Sequence, residues 1–252
     1  MTAMLAVTLG NTSIAIAGVD EGGVLADVCR EPLERLEAVF TEWLEALPDG
    51  EVTVIVCSVS PPAMARLREA AEAARDARVH EAGKDFHIAV KADVEEPQRV
   101  GTDRLLAALA AHRRVGGACI VVDAGTAVTV DAVDDDGTFL GGAIFPGPGL
   151  MARALAEGTA QLPHVELRSA VVPETVVGKN SEEAIRSGIA NAFAGGIRNV
   201  AAAIAHETGV GMPVIVTGGY APKGDADSGP WTVVPDLVLE GLVLAWRERT
   251  ES

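Results

Sequence analysis

Cysteine is scarce here and falls in no useful pattern. Cys29, Cys57 and Cys119 are odd in number and far apart, which excludes a disulfide framework and a cysteine zinc site. They read as buried or incidental thiols in a reducing compartment. Basic residues are also few, 20 Lys and Arg against 36 Asp and Glu, for a formal net charge of -16. A protein that binds the nucleic-acid backbone needs a basic patch to displace counterions, so that class is excluded. Anionic small ligands stay open, because backbone N–H groups and helix N-termini hold phosphate without basic side chains. No apolar run approaches the ~20 residues of a membrane span, and residues 1–17 carry no basic leader. A cytoplasmic location with no membrane partner is therefore expected. Histidines are dispersed, and residues 224–229 form the one loose loop in a chain without low-complexity tracts.

What the chain does have is an internal repeat. Val7-Thr8-Leu9-Gly10-Asn11-Thr12 runs on to Asp20, Gly22 and Leu25, and Val122-Asp123-Ala124-Gly125-Thr126-Ala127 runs on to Asp135, Gly137 and Leu140. One constant offset pairs Gly10 with Gly125, Asp20 with Asp135, Gly22 with Gly137 and Leu25 with Leu140. The same offset sets Thr8 opposite Asp123. Each copy reads as a strand, a tight turn and a return strand.

Around these hairpins, strands alternate with helices. Residues 52–58 are a β-branched run suited to a buried parallel strand, with further strands near 79, over 88–90 and over 214–216. Helical spacing covers roughly 33–44, 62–75, 102–115, 150–157, 182–206 and 236–246. Trp43 and Trp246 fall among apolar residues at that spacing and read as core. The pattern predicts an α/β protein of two related lobes, 1–114 and 115–252, with a cleft between them.

Chemistry concentrates in a few places. Gly10, Asn11 and Thr12 suit either a plain β-turn or a turn whose backbone donors face a phosphate, and the second copy at Asp123, Gly125 and Thr126 favours the latter. Asp123 ends an apolar strand, where a carboxylate needs a cation, ordered water or backbone partner. Gly101-Thr102-Asp103-Arg104 opens a helix, so Thr102 and Asp103 suit capping. The same spot offers a base and a guanidinium suited to a hydroxyl acceptor that bears a carboxylate. Thr217-Gly218-Gly219 reads as a strand-to-loop turn that also lets a nucleoside approach backbone.

Together these segments resemble type III pantothenate kinases, members of the actin-like ATPase and sugar-kinase superfamily built from two duplicated ribonuclease-H-like lobes. The resemblance spans nearly the whole chain. It rests on Gly10-Asn11-Thr12, Ser58-Val59-Ser60-Pro61, Gly101-Thr102-Asp103-Arg104, Asp123-Ala124-Gly125-Thr126, Gly141-Gly142-Ala143-Ile144, Gly178-Lys179-Asn180-Ser181 and Thr217-Gly218-Gly219. It implies transfer of the ATP γ-phosphoryl group to the primary hydroxyl of pantothenate, the first step toward coenzyme A. It further implies Mg2+ with ATP, a monovalent cation such as K+ or NH4+, and a homodimer.

By position, Asp103 is the implied proton acceptor, and Gly101, Thr102, Arg104 and Ser181 are implied pantothenate contacts. Thr8, Gly10, Asn11, Thr12 and Thr126 are implied ATP contacts, and Asp123 is the implied cation ligand. Thr8 stands where the family carries an Asp that positions the magnesium-bound phosphates, and Val94 stands near a pocket-lining Tyr. Ser181 replaces a Thr and keeps its hydroxyl. Asp20 and Asp131 are candidates to replace the missing charge. These departures leave two alternatives: a weakened or non-catalytic relative that binds nucleotide as an accessory regulator, and a kinase for another small hydroxylated acid.

Overall fold

The computed structural model describes residues 3–74, 77–167, 175–209, 211–221 and 231–249, so the loop expected at 224–229 lies outside the described residues. The chain divides into two compact units. Unit 1 comprises Met1–Lys91, Glu95–Arg114 and Asp236–Ser252, and unit 2 comprises Ala92–Val94 and Val115–Pro235. These units differ from the expected lobes in two places: residues 236–252 group with the first unit and residues 92–94 with the second. Both segments are reassigned by where they pack, which their sequence position does not announce.

Unit 1 is a five-stranded mixed sheet with helices on both faces. Its strands are β1 (Ala3–Leu9), β2 (Ser13–Val19), β3 (Leu25–Pro32), β4 (Val52–Ser58) and β5 (Ala77–Glu81), in the order β3-β2-β1-β4-β5. β1, β2 and β3 form an antiparallel meander, and β1, β4 and β5 run parallel. Its helices are α1 (Leu36–Ala46), α2 (Pro61–Ala74), α3 (Thr102–Val115) and, from the end of the chain, Leu237–Glu248. Period-two alternation sorts the two faces. Leu5, Val7 and Leu9 point with Ile14 and Ile16 to Leu36, Phe40 and Leu44 of α1 and Leu67 of α2. Ala6, Ala17, Ile55 and Cys57 point the other way, to Leu106 and Leu109 of α3 and to Leu239, Leu242 and Trp246 of the closing helix.

Small residues on that second face let α3 and the closing helix lie close. Gly241 is part of this fit, because a Cβ there would run into the Leu106 carbonyl. Trp246 is buried in this core and Trp43 packs at the edge of the other. The strand expected over 88–90 does not form. Val90 N–H bonds to the Ile88 carbonyl at 2.7 Å, closing a three-residue turn that diverts the backbone from the sheet.

Unit 2 repeats the plan. Its strands are β6 (Cys119–Ala124), β7 (Ala127–Val133), β8 (Phe139–Pro146), β9 (Val214–Thr217) and β10 (Thr232–Val233), in the order β10-β9-β6-β7-β8. Helices α4 (Pro148–Gly158) and α5 (Ser181–Thr208) precede β9, and the closing helix of unit 1 is therefore α6. Ile120, Val122, Val128, Val130 and Val216 face Phe193, Ile197 and Ala201 of α5. The alternate positions Asp123, Thr129, Asp131 and Thr217 consequently share the opposite face, with Asp123 paired to Thr129 on one side and to Thr217 on the other. Sequence ends α5 cleanly. Asn180 accepts the Glu183 N–H at 2.9 Å, Glu183 accepts the Lys179 N–H at 2.7 Å, and Gly209 leaves the helix at φ 73°. Each unit is thus a ribonuclease-H-like sheet, and the chain is a duplicated α/β protein.

Candidate functional site

The two hairpin turns match in place and differ in length. Four residues separate the paired Leu9 and Ile14, where Gly10 N–H bonds to the Ser13 carbonyl at 3.0 Å. Three separate Ala124 and Val128, where Gly125 N–H bonds to the Ala127 carbonyl at 3.1 Å. The constant offset read from the sequence therefore breaks at the turn. The true partner of Asp20 is Asp134: Asp20 Oδ1 accepts the Val24 N–H and Asp134 Oδ1 accepts the Thr138 N–H, both at 2.7 Å. Likewise Gly23 matches Gly137, at φ 79° and 81°. The expected pairings of Asp20 with Asp135 and Gly22 with Gly137 are one residue out, because an Asp run beside the second turn hid the missing residue.

In unit 1, Thr8 is half-buried next to Cys57, its register partner on β4. Asn11 and Thr12 are exposed at the turn, and the Thr12 carbonyl is held by Leu33 N–H at 3.0 Å. Asp20 sits at the far end of the hairpin with Oδ1 on Val24, so within unit 1 it does not replace the charge missing at Thr8.

Gly101 to Arg104 form the start of α3. Asp103 curls back so that its Oδ1 accepts the Arg104 N–H at 2.8 Å, and a Cβ on Gly101 would lie 2.5 Å from that oxygen. Burial pushes the Asp103 carboxyl up from its ordinary range, and the amide and charge of Arg104 offset this only in part. Thr102, expected as a substrate contact, places its hydroxyl 3.6 Å from Cys57 Sγ.

In unit 2, Asp123 stands at the end of β6 beside a crowded backbone. Gly218, at φ 97°, would carry a Cβ 2.5 Å from Asp123 Oδ1, and Tyr220 N–H bonds to the Ala124 carbonyl at 2.8 Å. Gly147 lies against the turn, its N–H on the Thr126 carbonyl at 2.9 Å and with no room for a Cβ beside the Gly125 carbonyl. Ser181 is exposed in the first turn of α5, beside the Asn180 cap. Val94 packs its Cγ1 against Gly141, 3.4 Å from where a Cβ would be. Asp131 is buried within this unit beside Gly142.

Three contacts of this region were not legible in the sequence. Tyr220, the one tyrosine of the chain, closes the loop over the second hairpin with its hydroxyl on the Leu167 carbonyl at 3.1 Å. Gly218 was legible as a turn residue, but its approach to Asp123 was not. Cys57 gave no local signal at all. Cys119 behaves as an inert buried thiol, its pKa pushed up to about 11 by burial.

The family described as type III pantothenate kinase matches residues 4–203. A type III pantothenate kinase from Dehalococcoides mccartyi is 34% identical, with 97% of each chain covered. One from Rhodospirillum rubrum is 38% identical over 81% of this chain and 79% of its own. Among solved structures, a Sinorhizobium meliloti protein described as a 2-dehydro-3-deoxygalactonokinase superposes with a TM-score of 0.60, at 18% identity, over 97% of this chain and 96% of its own. That last likeness is one of fold alone. On the family match and the full-length identities, this chain belongs to the type III pantothenate kinase family.

Proposed function

We propose that this chain phosphorylates pantothenate with ATP, giving 4'-phosphopantothenate and ADP at the first step of coenzyme A biosynthesis. The observation that carries the reading is Asp103, a desolvated carboxylate at a helix N-terminus beside Arg104, in a chain of this family. The pantothenate hydroxyl oxygen bonds to the γ-phosphorus, the bond from that phosphorus to the β–γ bridging oxygen breaks, and ADP leaves. Asp103 takes the hydroxyl proton. Because phosphoryl transfer is loose, that proton moves late, so positioning and charge neutralisation matter more than a strong base. A raised pKa suits the task, since it gives the carboxylate more affinity for the proton.

Arg104 and the N–H groups at the start of α3 hold the pantothenate carboxylate, with Gly101 allowing close approach. The exposed Ser181 hydroxyl makes a further substrate contact. In unit 1, the Gly10 to Thr12 turn presents backbone donors to phosphate, with Thr8 contributing a hydroxyl. In unit 2, Thr126 contacts ATP and Asp123 holds the monovalent cation. Hard oxygen donors suit that ion, and Asp123 lies on one sheet face with its register partners Thr129 and Thr217.

Among the described residues no cluster of three or more His, Cys, Asp or Glu side chains forms a metal cage. Mg2+ would arrive with the nucleotide, and bound there it would neutralise charge on the phosphates. The homodimer rests on the family resemblance. No helix among the described residues is long and apolar enough to cross a membrane.

The test is ADP release with pantothenate, Mg2+ and K+, comparing the natural chain with Thr8→Asp. Turnover by the natural chain is expected, with kcat rising about tenfold or more when the carboxylate is supplied. Turnover that is absent in the natural chain and appears only in Thr8→Asp would overturn the reading and leave a degenerate relative.

A further inference from the structure

Cys57 plays no part in the chemistry above, yet it touches the residue next to the base. It is 2% exposed at the end of β4, and its Sγ lies 3.6 Å from Thr102 Oγ1. The other branch of Thr102 is held as well. Its Cγ2 packs against Gly83, whose φ is 78° and where a Cβ would come within 2.9 Å of that methyl. A β-branched side chain in a helix has few χ1 wells. With the methyl against Gly83 and the hydroxyl against a thiol, Thr102 is confined to one of them.

Thr102 is the first residue of α3 and Asp103 the second. The Asp103 carboxylate is curled over Gly101, with Oδ1 on the Arg104 N–H. That conformation requires the first turn to stay closed, and Arg104 N–H and Leu105 N–H also both reach the Gly101 carbonyl, at 3.1 and 3.2 Å. Gly101 has no side chain to cap the helix, so what Thr102 grips outside the turn adds to the bonds within it. Cys57 is moreover the register partner of Thr8, so one thiol adjoins both the first phosphate turn and the start of the catalytic helix.

We propose that Cys57 is a positioning residue for phosphoryl transfer: acting through the Thr102 hydroxyl, it fixes the first turn of α3 and so keeps the Asp103 carboxylate curled over Gly101. This rests on the assignment of Asp103 as proton acceptor. A bland role, a small apolar residue filling the core between the sheet and α3, makes a different prediction. Packing ranks Cys57→Val and Cys57→Ala above Cys57→Ser, because a hydroxyl is costly among apolar neighbours. Positioning ranks them the other way, because only Ser keeps a partner for Thr102.

The experiment measures kcat and KM for pantothenate and ATP in Cys57→Ser, Cys57→Ala and Cys57→Val, with Thr102→Val and Thr102→Ser as the reciprocal pair. Amide hydrogen exchange at Arg104, Leu105 and Leu109 is recorded on the same proteins. The expected result is near-natural kcat in Cys57→Ser, and natural amide exchange at Arg104 and Leu105 in Thr102→Ser. In Cys57→Ala, Cys57→Val and Thr102→Val kcat falls about tenfold, with KM for ATP unchanged. Exchange should quicken about tenfold at Arg104 and Leu105 in those same three variants, and not at Leu109. The double variant Cys57→Ala with Thr102→Val should be no worse than the worse single one. Natural kcat and exchange in Cys57→Val, a greater loss in Cys57→Ser than in Cys57→Val, or additive losses in the double variant would each overturn the proposal. The exchange readout needs no turnover, so it separates this inference from the kinase assignment: a chain that releases no ADP but shows the Ser-rescued exchange pattern retains the positioning device and loses only the assigned reaction.

Discussion

The first and second hairpins share a sheet topology and a turn position, and they differ in what stands at one point of the strand. On β1 that point is Thr8 beside Cys57, and on β6 it is Asp123 beside Thr217. A hydroxyl next to a thiol in unit 1 thus matches a carboxylate next to a hydroxyl in unit 2. The residues that follow differ in the same sense. Ser58 carries a side chain in a local bond with Ser60, whereas Gly218 turns at φ 97° with Asp123 Oδ1 pressed close. The second unit thus packs a glycine against both its acid and the Ala124 backbone, where the first has a serine in a local turn. Duplication supplied two equivalent frames, and single positions decide which one carries charge. In unit 1 the charge lies instead at Asp103, on a helix.

The largest effect is expected at that helix. Asp103→Asn should lower kcat by about 10²–10⁴-fold, the usual worth of a positioned proton acceptor. The same change should stabilise the fold at neutral pH. Because the native carboxyl is raised above its unfolded value, the unfolded chain ionises first, and the stability of the natural protein falls as pH climbs from the ordinary carboxylate range through the native pKa. Thermal unfolding at acid and neutral pH should show Asp103→Asn gaining only at the higher pH. A gain of equal size at both would contradict the burial of this carboxylate.

Making the second hairpin resemble the first comes next. On the proposed cation role, Asp123→Thr should cost about 10²–10³-fold in kcat and leave a rate that no longer responds to K+. A rate that still tracks K+ would show that the carboxylate is not the cation's ligand. The smallest effect tests the backbone half of the comparison: Gly218→Ala should destabilise by about 1–3 kcal/mol, as strain at a positive φ adds to the clash with Asp123, while Ser58→Ala should cost no more than about 1 kcal/mol. Equal losses in denaturant titrations would mean that the two frames are equally tolerant at this position.

Much of this was legible in the sequence. Alternation at Leu5, Ala6, Val7 and Leu9 fixes which face of β1 meets which helices, and the Asn180 to Glu183 cap with Gly209 bounds α5. Both are local patterns of period or spacing, and neighbouring residues suffice to set them. The hairpin turns were legible as turns, but their one-residue difference was not, since Asp134, Asp135 and Asp136 all offer a match and only hydrogen bonding selects Asp134. The strand expected over 88–90 failed because a turn within the segment outcompeted its apolar residues.

The sequence by itself determined the duplicated α/β plan, the order of its elements and the types of group available to phosphate and hydroxyl. Tertiary structure alone decided that the closing helix joins the first sheet, that Gly218 presses on Asp123, and that Thr102 turns its hydroxyl to Cys57. Each of these joins residues 45 or more positions apart. Local spacing carries no information about such pairs, because they meet only when sheets and helices have packed and the small residues have let them approach.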